Sequence, residues 1–433
     1  MPPDSEILES MRRDWNDRAR EDANYYVAFG RRGQEDAEFL ASAADVMLHM
    51  RMELQRIPEH ARQRALEIGC GPGRLLRPAS EYFQEIHGVD VSDEMVRLAA
   101  QKLADIPHAH VHSTSGSDLA AFADNYFDFV YSYAVFQHIP SRDVVFQYLA
   151  EARRVLKPGG ILWCQINGLP AQAARYTTWE GVRISAEEIS GFARTHDFQL
   201  LRLEGIETQY MWMTCRKQVS GWSDWLEHTE WTTTAQLRSV HNAHSSEAAI
   251  PASGRFAAAA LSIENLPPDC DINRMEVRIE GRPARVSYIG SPQRDWVVQV
   301  NIALPQDIRT GLLPLDLDWM GKPLCPSGII RIIPPAPLVP MICSLTDGVD
   351  LLSGTRIASG IVKVTMEEVV APEIFLASVD DKPVFDPDFF CTDPQTRRFE
   401  INFHLPQGTA PGPHVVEVRL GRRKFPPIAI EVA

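Results

Sequence analysis

The chain has 433 residues, 45% hydrophobic and 23% charged, a globular composition with room for about two to four domains that excludes a disordered or fibrous protein. Its 43 Lys and Arg against 57 Asp and Glu leave a net charge of −14, so the whole chain repels nucleic acid and anionic membranes, and neither is expected as a partner. The seven cysteines are dispersed and form no CxxC pair, which argues against a zinc site and a disulfide framework. No signal peptide and no run of about 18 apolar residues occurs, so a cytoplasmic setting is expected.

Residues 5–20 place Ile7, Met11 and Trp15 on one stripe of an amphipathic helix, and 34–57 read as a longer helix. Together they suggest an N-terminal helical cap over 1–60. From Arg64 the pattern alternates. Strands are expected at 65–68, 86–91, 110–113, 127–133 and 161–166, with helices at 75–83, 93–103, 144–156 and 186–196. Two closely spaced strands, 198–204 and 210–216, close the series as an antiparallel end. Such alternation predicts an α/β fold with a doubly wound, Rossmann-like sheet over 61–216.

Residues 217–250 are polar, with Trp222, Trp225 and Trp231 interspersed, and read as a linker whose tryptophans pack between domains or form a substrate platform. Beyond Ile250 short strands alternate with Pro and Gly turns, the rhythm of β-sandwiches. This half repeats itself: 277–283 matches 377–383, 299–306 matches 400–407, and Gly311 matches Gly412, at an offset of about 100 residues. Two all-β sandwich domains are therefore expected, 251–335 and 336–433.

The chemistry concentrates in Leu66-Glu67-Ile68-Gly69-Cys70-Gly71-Pro72-Gly73, between a strand and a helix. Glycines there let the backbone approach a ligand, and a helix N-terminus favours a carboxylate or phosphate. Asp90 stands at the carboxyl end of the next strand, where an acid can accept hydrogen bonds from a ribose diol. The pattern describes a nucleoside site and leaves a dinucleotide-dependent oxidoreductase open. Three imidazoles in His108-Ala-His110-Val-His112 share a strand and read as a solvated edge rather than a metal site. Cys70 reads as a buried filler. Tyr25 and Tyr26 read as packed aromatics or a cofactor cap.

The loop form Glu-x-Gly-x-Gly-x-Gly, the strand opening Phe127-Asp128, and Leu156-Lys-Pro-Gly-Gly160, taken in order with Asp90, resemble the class I S-adenosylmethionine-dependent methyltransferases. The small-molecule type related to quinone-biosynthesis enzymes is the most similar, over about residues 60–216. The resemblance implies a seven-stranded sheet and S-adenosylmethionine as cofactor. It implies that Gly69, Gly71 and Gly73 border the methionine and ribose, and that Glu67 organises the loop and the ammonium end. Asp90 would hold the ribose, Met95 would pack near the adenine, and Ser132 would lie against the cofactor. The family's adenine-binding acid falls on Gly116 here, a departure, and Asp118 is the substitute. His138 stands where the family often has a histidine near the transferring methyl, as a base for an acceptor hydroxyl or as a loop-positioning group.

The expected activity is methyl transfer to an O, N or C nucleophile of a small-molecule or glycan-like acceptor, whose pocket is expected from residues 1–30 and 167–185. The C-terminal repeats resemble bacterial immunoglobulin-like domains, which implies a protein or glycan partner. The alternative for the whole chain is a binding protein carrying a methyltransferase-like module.

Overall fold

Strands too apolar to face water on either side demand cover on both faces, and the first half of the chain supplies it. The parallel strands are β1 (Arg64–Ile68), β2 (Glu85–Asp90), β3 (Ala109–Ser113), β4 (Phe127–Ser132), β5 (Leu156–Ile166) and β6 (Phe198–Glu204), with β7 (Met211–Lys217) antiparallel between the last two. Every residue of β4 is buried, as a central parallel strand requires. The order is β3-β2-β1-β4-β5-β7-β6, a seven-stranded, Rossmann-like arrangement. The computed structural model describes residues 5–28, 32–171, 176–293, 295–349, 354–394 and 396–433. Parts of the expected acceptor loops, 1–4, 29–30 and 172–175, lie outside the described residues.

The helices are α1 (Ser5–Ala28), α2 (Asp36–Ala41), α3 (Ala44–Leu54), α4 (Leu76–Ala79), α5 (Asp93–Lys102), α6 (Arg142–Val155), α7 (Ala186–Thr195) and α8 (Trp222–His228). Helix α6 buries Val144, Val145, Tyr148, Leu149, Ala152 and Val155, a stripe at helical spacing that meets the sheet in one core with Met11 of α1. Serines start three helices: Ser92 caps α5, Ser141 caps α6, and Ser185 forms a capping box with Glu188 on α7. The helix expected over 34–57 is broken into α2 and α3. The one expected over 75–83 is only a four-residue α turn, containing Pro78, and a 3-10 turn at Ser80–Tyr82.

Two compact units result, Met1–Asn16 with Ala44–Ala336 and Asp17–Ala43 with Pro337–Ala433. Helix α1 runs through the boundary and loses helical geometry at Asp22. Residues 217–250 are not a free linker. Helix α8 buries Trp222 and Leu226 in the same core as the strands that follow, and Gln236–Asn242 is itself a strand paired with Ala258–Glu264. Trp231 lies against Trp319, ring centroids 3.9 Å apart. That core also takes in Leu201 of β6, and the strand Arg282–Ile289 pairs with β6 at Tyr288 and Arg202. The first set of C-terminal strands is thus continuous with this sheet.

The second set forms two sheets around one core. One contains Met341–Asp347, Ile361–Glu367, Arg398–His404 and Asp388–Asp393; the other contains Phe375–Val379, Gly412–Leu420 and Ile428–Val432. The repeat is visible in the backbone. Glu280 and Gly281 both have positive φ at the turn after Met275–Ile279, and Asp380 and Asp381 do the same after Phe375–Val379. Both are two-residue hairpins of the type that matches strand twist. Gly311 and Gly412 share a left-handed φ of 130° and 125°. No helix among the described residues is long and apolar enough to cross a membrane.

Candidate active site

The glycine loop leaves β1 and doubles back over β2, with the Gly69 and Cys70 amides both donating to the Val89 carbonyl. Gly69, Gly71 and Gly73 all have positive φ, a conformation that favours glycine. At Gly69 a Cβ would also stand 2.4 Å from the Val135 side chain. The loop is anchored by Asp90, whose Oδ2 accepts from the Gly71 N–H and whose Oδ1 accepts from the Ser92 N–H, each at 2.9 Å. Burial pushes the Asp90 carboxyl up to about 6, against the pull of those N–H groups.

Glu67 is buried beside it and accepts from the Tyr131 hydroxyl at 3.1 Å. Burial pushes its carboxyl up to about 8, opposed by the Tyr131 bond and the nearby Arg74 guanidinium. Two buried carboxyls with unspent acceptor capacity suit a ligand that is cationic and carries hydroxyl donors. They oppose an anionic diphosphate, and the four-residue α4 offers no compensating helix N-terminus. The residues therefore fit S-adenosylmethionine, with its ammonium, sulfonium and ribose, and not a dinucleotide.

Met95 is buried on the first turn of α5, its N–H donating to the capping Ser92 Oγ. The Ser132 hydroxyl is fully buried and donates to the Ile68 carbonyl at 2.8 Å, tying β4 to β1 beneath the loop. Asp118 turns into its own loop, accepting from Ser115 Oγ and the Ala120 N–H. With Val89 and Thr114 it lines a cavity of about 90 Å³. Gly116 has φ +100°, and a Cβ there would crowd Val91 and Leu8, so this position holds glycine for steric reasons. Cys70 is buried and its thiol is pushed well up by burial, as a filler's would be. Tyr25 and Tyr26 belong to the other unit, where both rings lie near Arg32.

His138 sits in the loop after β4. Its Nδ1 lies 2.8 Å from the Trp179 carbonyl oxygen. A carbonyl only accepts, so Nδ1 carries the proton and Nε2 is the acceptor nitrogen. The Gln137 amide donates to Nε2 at 3.3 Å, and Gln165 holds Gln137 by donating to its Oε1 at 3.1 Å. Gln165 in turn accepts from the Ala134 N–H, where φ is +57°, a strained position of the kind that gathers at functional sites.

Sequence reading missed the roof of this site. Arg12 of α1 pairs with Asp93 through both carboxylate oxygens and donates to the Thr114 carbonyl. Asn16 Oδ1 accepts from the Ser92 hydroxyl and the Glu94 N–H. Trp15 meets the His138 ring edge-on at 5.4 Å, and Asp14 accepts from the Thr178 hydroxyl. The start of α1 thus bridges the loops after β2, β3, β4 and β5. The amphipathic pattern predicted this helix, but nothing in it marked which polar residues would reach the loops.

Other signals proved structural. Asp128 Oδ2 accepts from the Gln63 and Arg64 N–H groups, and Oδ1 pairs with Lys157 at 2.7 Å. The Phe-Asp and Lys-Pro-Gly-Gly motifs are two halves of one clamp at the amino end of the sheet. His110 and His112 gather against His87 of β2, with His87 Nδ1 3.2 Å from His112 Nε2, while His108 donates to the Ser80 carbonyl. No metal-binding group of three or more His, Cys, Asp or Glu occurs among the described residues.

Residues 66–164 match the family described as a methyltransferase domain. Phosphoethanolamine N-methyltransferase 2 of Caenorhabditis elegans is 29% identical over 156 residues, 34% of this chain and 35% of that protein. A ubiquinone biosynthesis O-methyltransferase of Cereibacter sphaeroides is 30% identical over 101 residues, 23% of this chain and 40% of its own. Among solved structures, Haemonchus contortus phosphoethanolamine N-methyltransferase 1, in complex with phosphoethanolamine and S-adenosylhomocysteine, is similar at 14% identity and a TM-score of 0.38, covering 52% of this chain and 51% of that one. The chain spans well under half the length of these two curated relatives. It carries a methyltransferase domain, and the cofactor of that domain is S-adenosylmethionine.

Proposed function

We propose that the whole protein transfers a methyl group from S-adenosylmethionine to an oxygen, nitrogen or carbon nucleophile on a small-molecule or glycan-like acceptor. The observation that carries this reading is the placement of an acceptor nitrogen, His138 Nε2, on the same carboxyl edge of the sheet as the glycine loop and Asp90. When bound, S-adenosylmethionine supplies a methyl already activated by its sulfonium. The chain's own residues bind, orient and take up a proton. Asp90 accepts from the ribose hydroxyls, Glu67 faces the cationic end, Met95 and the Asp118 loop flank the adenine, and the glycines keep the backbone close. Ser132 acts by holding β1 and β4 in register under the loop. His138 Nε2 receives the acceptor's proton once the acceptor hydroxyl or amine displaces the Gln137 amide from it, and the Trp179 carbonyl keeps the ring in that tautomer and orientation. Helix α1 and the Trp179 segment exclude water over the reacting groups.

The names of the two curated relatives include an N- and an O-methyltransferase, so both nucleophile types belong in an acceptor screen. The two C-terminal strand sets are read as immunoglobulin-like domains with a binding role toward a protein or glycan partner. Their support is the repeated hairpin geometry. Incubating the chain with isotopically labelled S-adenosylmethionine and fractionated cell extract is the test. Acceptor-dependent release of S-adenosylhomocysteine with label in one product is expected. Saturable cofactor binding with no acceptor-dependent turnover in any fraction would leave a binding protein in place of an enzyme.

A further inference from the structure

A second cavity, of about 200 Å³, opens at the other end of the sheet from the glycine loop. Strand β7 pairs Met211 with Ile166 at the carboxyl end of β5 and Arg216 with Ile161 toward its amino end. Arg216 lines the cavity with Arg56, Gln199, Leu201, Pro268 and Trp296. The methyl-transfer reading uses none of these residues.

The polar side of the cavity carries an unspent positive charge. The Arg56 side chain is 2% exposed and its Nε donates to Glu53 Oε2 at 2.7 Å. Its Nη2 is buried with no hydrogen-bond partner among the described residues. Glu53 is shared, because its Oε1 pairs with Arg202, which also holds Glu204. Those four groups balance, two positive and two negative. Arg216 adds one more positive charge. Its guanidinium has a single hydrogen bond, to Gln199 Oε1 at 3.4 Å, and no ion pair among the described residues. Burial and the like charge of Arg56 hold its pKa below the usual arginine value, with Asp269 pulling the other way. Asp269 is itself engaged, accepting from the Trp222 indole N–H.

The remaining wall is apolar. Leu201 is buried, and Pro268 and Leu266 flank it. At the rim the Trp296 indole is 71% exposed on a residue with φ +57°. That conformation is costly for a bulky side chain and presents the ring outward. A buried guanidinium with an unspent N–H beside a half-buried one that has no carboxylate favours an anion, since unpaired charge away from water is expensive. An exposed aromatic beside them supplies a flat apolar face.

We propose that this cavity is a second ligand site, distinct from the cofactor site, for a small organic oxyanion bearing an aromatic or apolar group. The carboxylate or phosphate of the ligand lies between Arg56 and Arg216, and its ring lies along Leu201 and Pro268 toward Trp296. The volume limits it to a ligand of about one ring with a short substituent, below the usual range for drug-sized pockets. The anionic group has two candidate chemistries, so the test carries both.

The full chain is titrated with benzoate, with phenyl phosphate, and with neutral benzamide, following melting temperature and heat of binding. At least one ring-bearing anion is expected to bind saturably and raise the melting temperature, while benzamide does not. The better of the two identifies the head group. Affinity is expected to fall about tenfold or more in Arg216→Gln and in Trp296→Ala. Trp296 is largely exposed, so its variant reports on binding rather than on folding. S-adenosylmethionine affinity should be unchanged in Trp296→Ala, which separates this site from an acceptor pocket that takes benzoate. Saturable binding of neither anion, equal binding of benzamide, or anion binding untouched by both substitutions would overturn the proposal.

Discussion

Asp90 and Asp128 stand at opposite ends of one sheet and treat the backbone alike. Each accepts two main-chain N–H groups, Asp90 from Gly71 and Ser92, Asp128 from Gln63 and Arg64. The difference is the counter-charge. Lys157 closes on Asp128 at 2.7 Å, whereas Asp90 has no ion pair among the described residues and its carboxyl is pushed up to about 6 by burial. Glu67, next to Asp90, is pushed further, to about 8. A carboxylate that the chain neutralises for itself holds the fold together. One that the chain buries without full compensation is stabilised only when a cationic, hydroxyl-bearing ligand arrives.

The sharpest way to use that contrast is at the reacting end. His138→Ala is expected to lower turnover by about 10²–10⁴ while cofactor affinity changes by less than about threefold. Steady-state rates against calorimetric dissociation constants separate the two, and wild-type turnover in a folded variant removes His138 from the mechanism. Asp90→Asn comes next. An amide fills the same space but cannot accept from two N–H groups and a ribose, so S-adenosylmethionine affinity should fall by about ten- to a hundredfold. An unchanged constant would mean that another residue holds the ribose.

Asp128→Asn should do the reverse. Stability is expected to fall by about 1–3 kcal/mol, from unsatisfied N–H groups and a lost partner for Lys157, with cofactor affinity within about twofold of wild type. A denaturant melt and a titration on the same sample read both. If Asp128→Asn weakened cofactor binding as much as Asp90→Asn does, the contrast between the two ends would be broken.

The smallest expected effect is a pH slope. Glu67 titrates near 8 in the fold against an ordinary 4.5. Its contribution is therefore fully present below pH 4.5 and is lost as pH rises through about 8. Without cofactor, the melting temperature of the wild type should fall between pH 5 and 8 by a few degrees more than that of Glu67→Gln, which keeps the Tyr131 hydrogen bond and cannot ionise. Saturating S-adenosylmethionine should shrink the difference, because its cationic end favours the ionised carboxylate. Parallel curves for the two proteins would show that Glu67 does not titrate in this range.

The grouping of the glycine loop with Glu67 and Asp90 was legible because these residues lie close together along the chain. A strand, a glycine turn and the acid ending the next strand span Glu67 to Asp90, and the backbone itself imposes the spacing. The alternating strand and helix pattern likewise marked a parallel, doubly wound sheet, since successive parallel strands need helical crossovers, while the order of its strands came from the tertiary structure. Three things waited for the tertiary structure. Arg12 and Asn16 reach Thr114, Ser92 and Asp93 across about eighty to a hundred residues, and a polar residue on an amphipathic helix gives no sign of its distant partner. Gln137 and Gln165 orient His138 only because the turn at Ala134 brings two unremarkable amides together. The boundary near residue 250 dissolved because composition reports polarity and not pairing. Trp222, Leu226 and the strand Gln236–Asn242 look like a polar stretch with scattered tryptophans until Leu201 and the strands beyond close over them. Local spacing fixes which atoms meet when the chain between them is short and regular. When that chain is long, the contact is chosen by packing and by the need to satisfy buried charge, which no single segment carries.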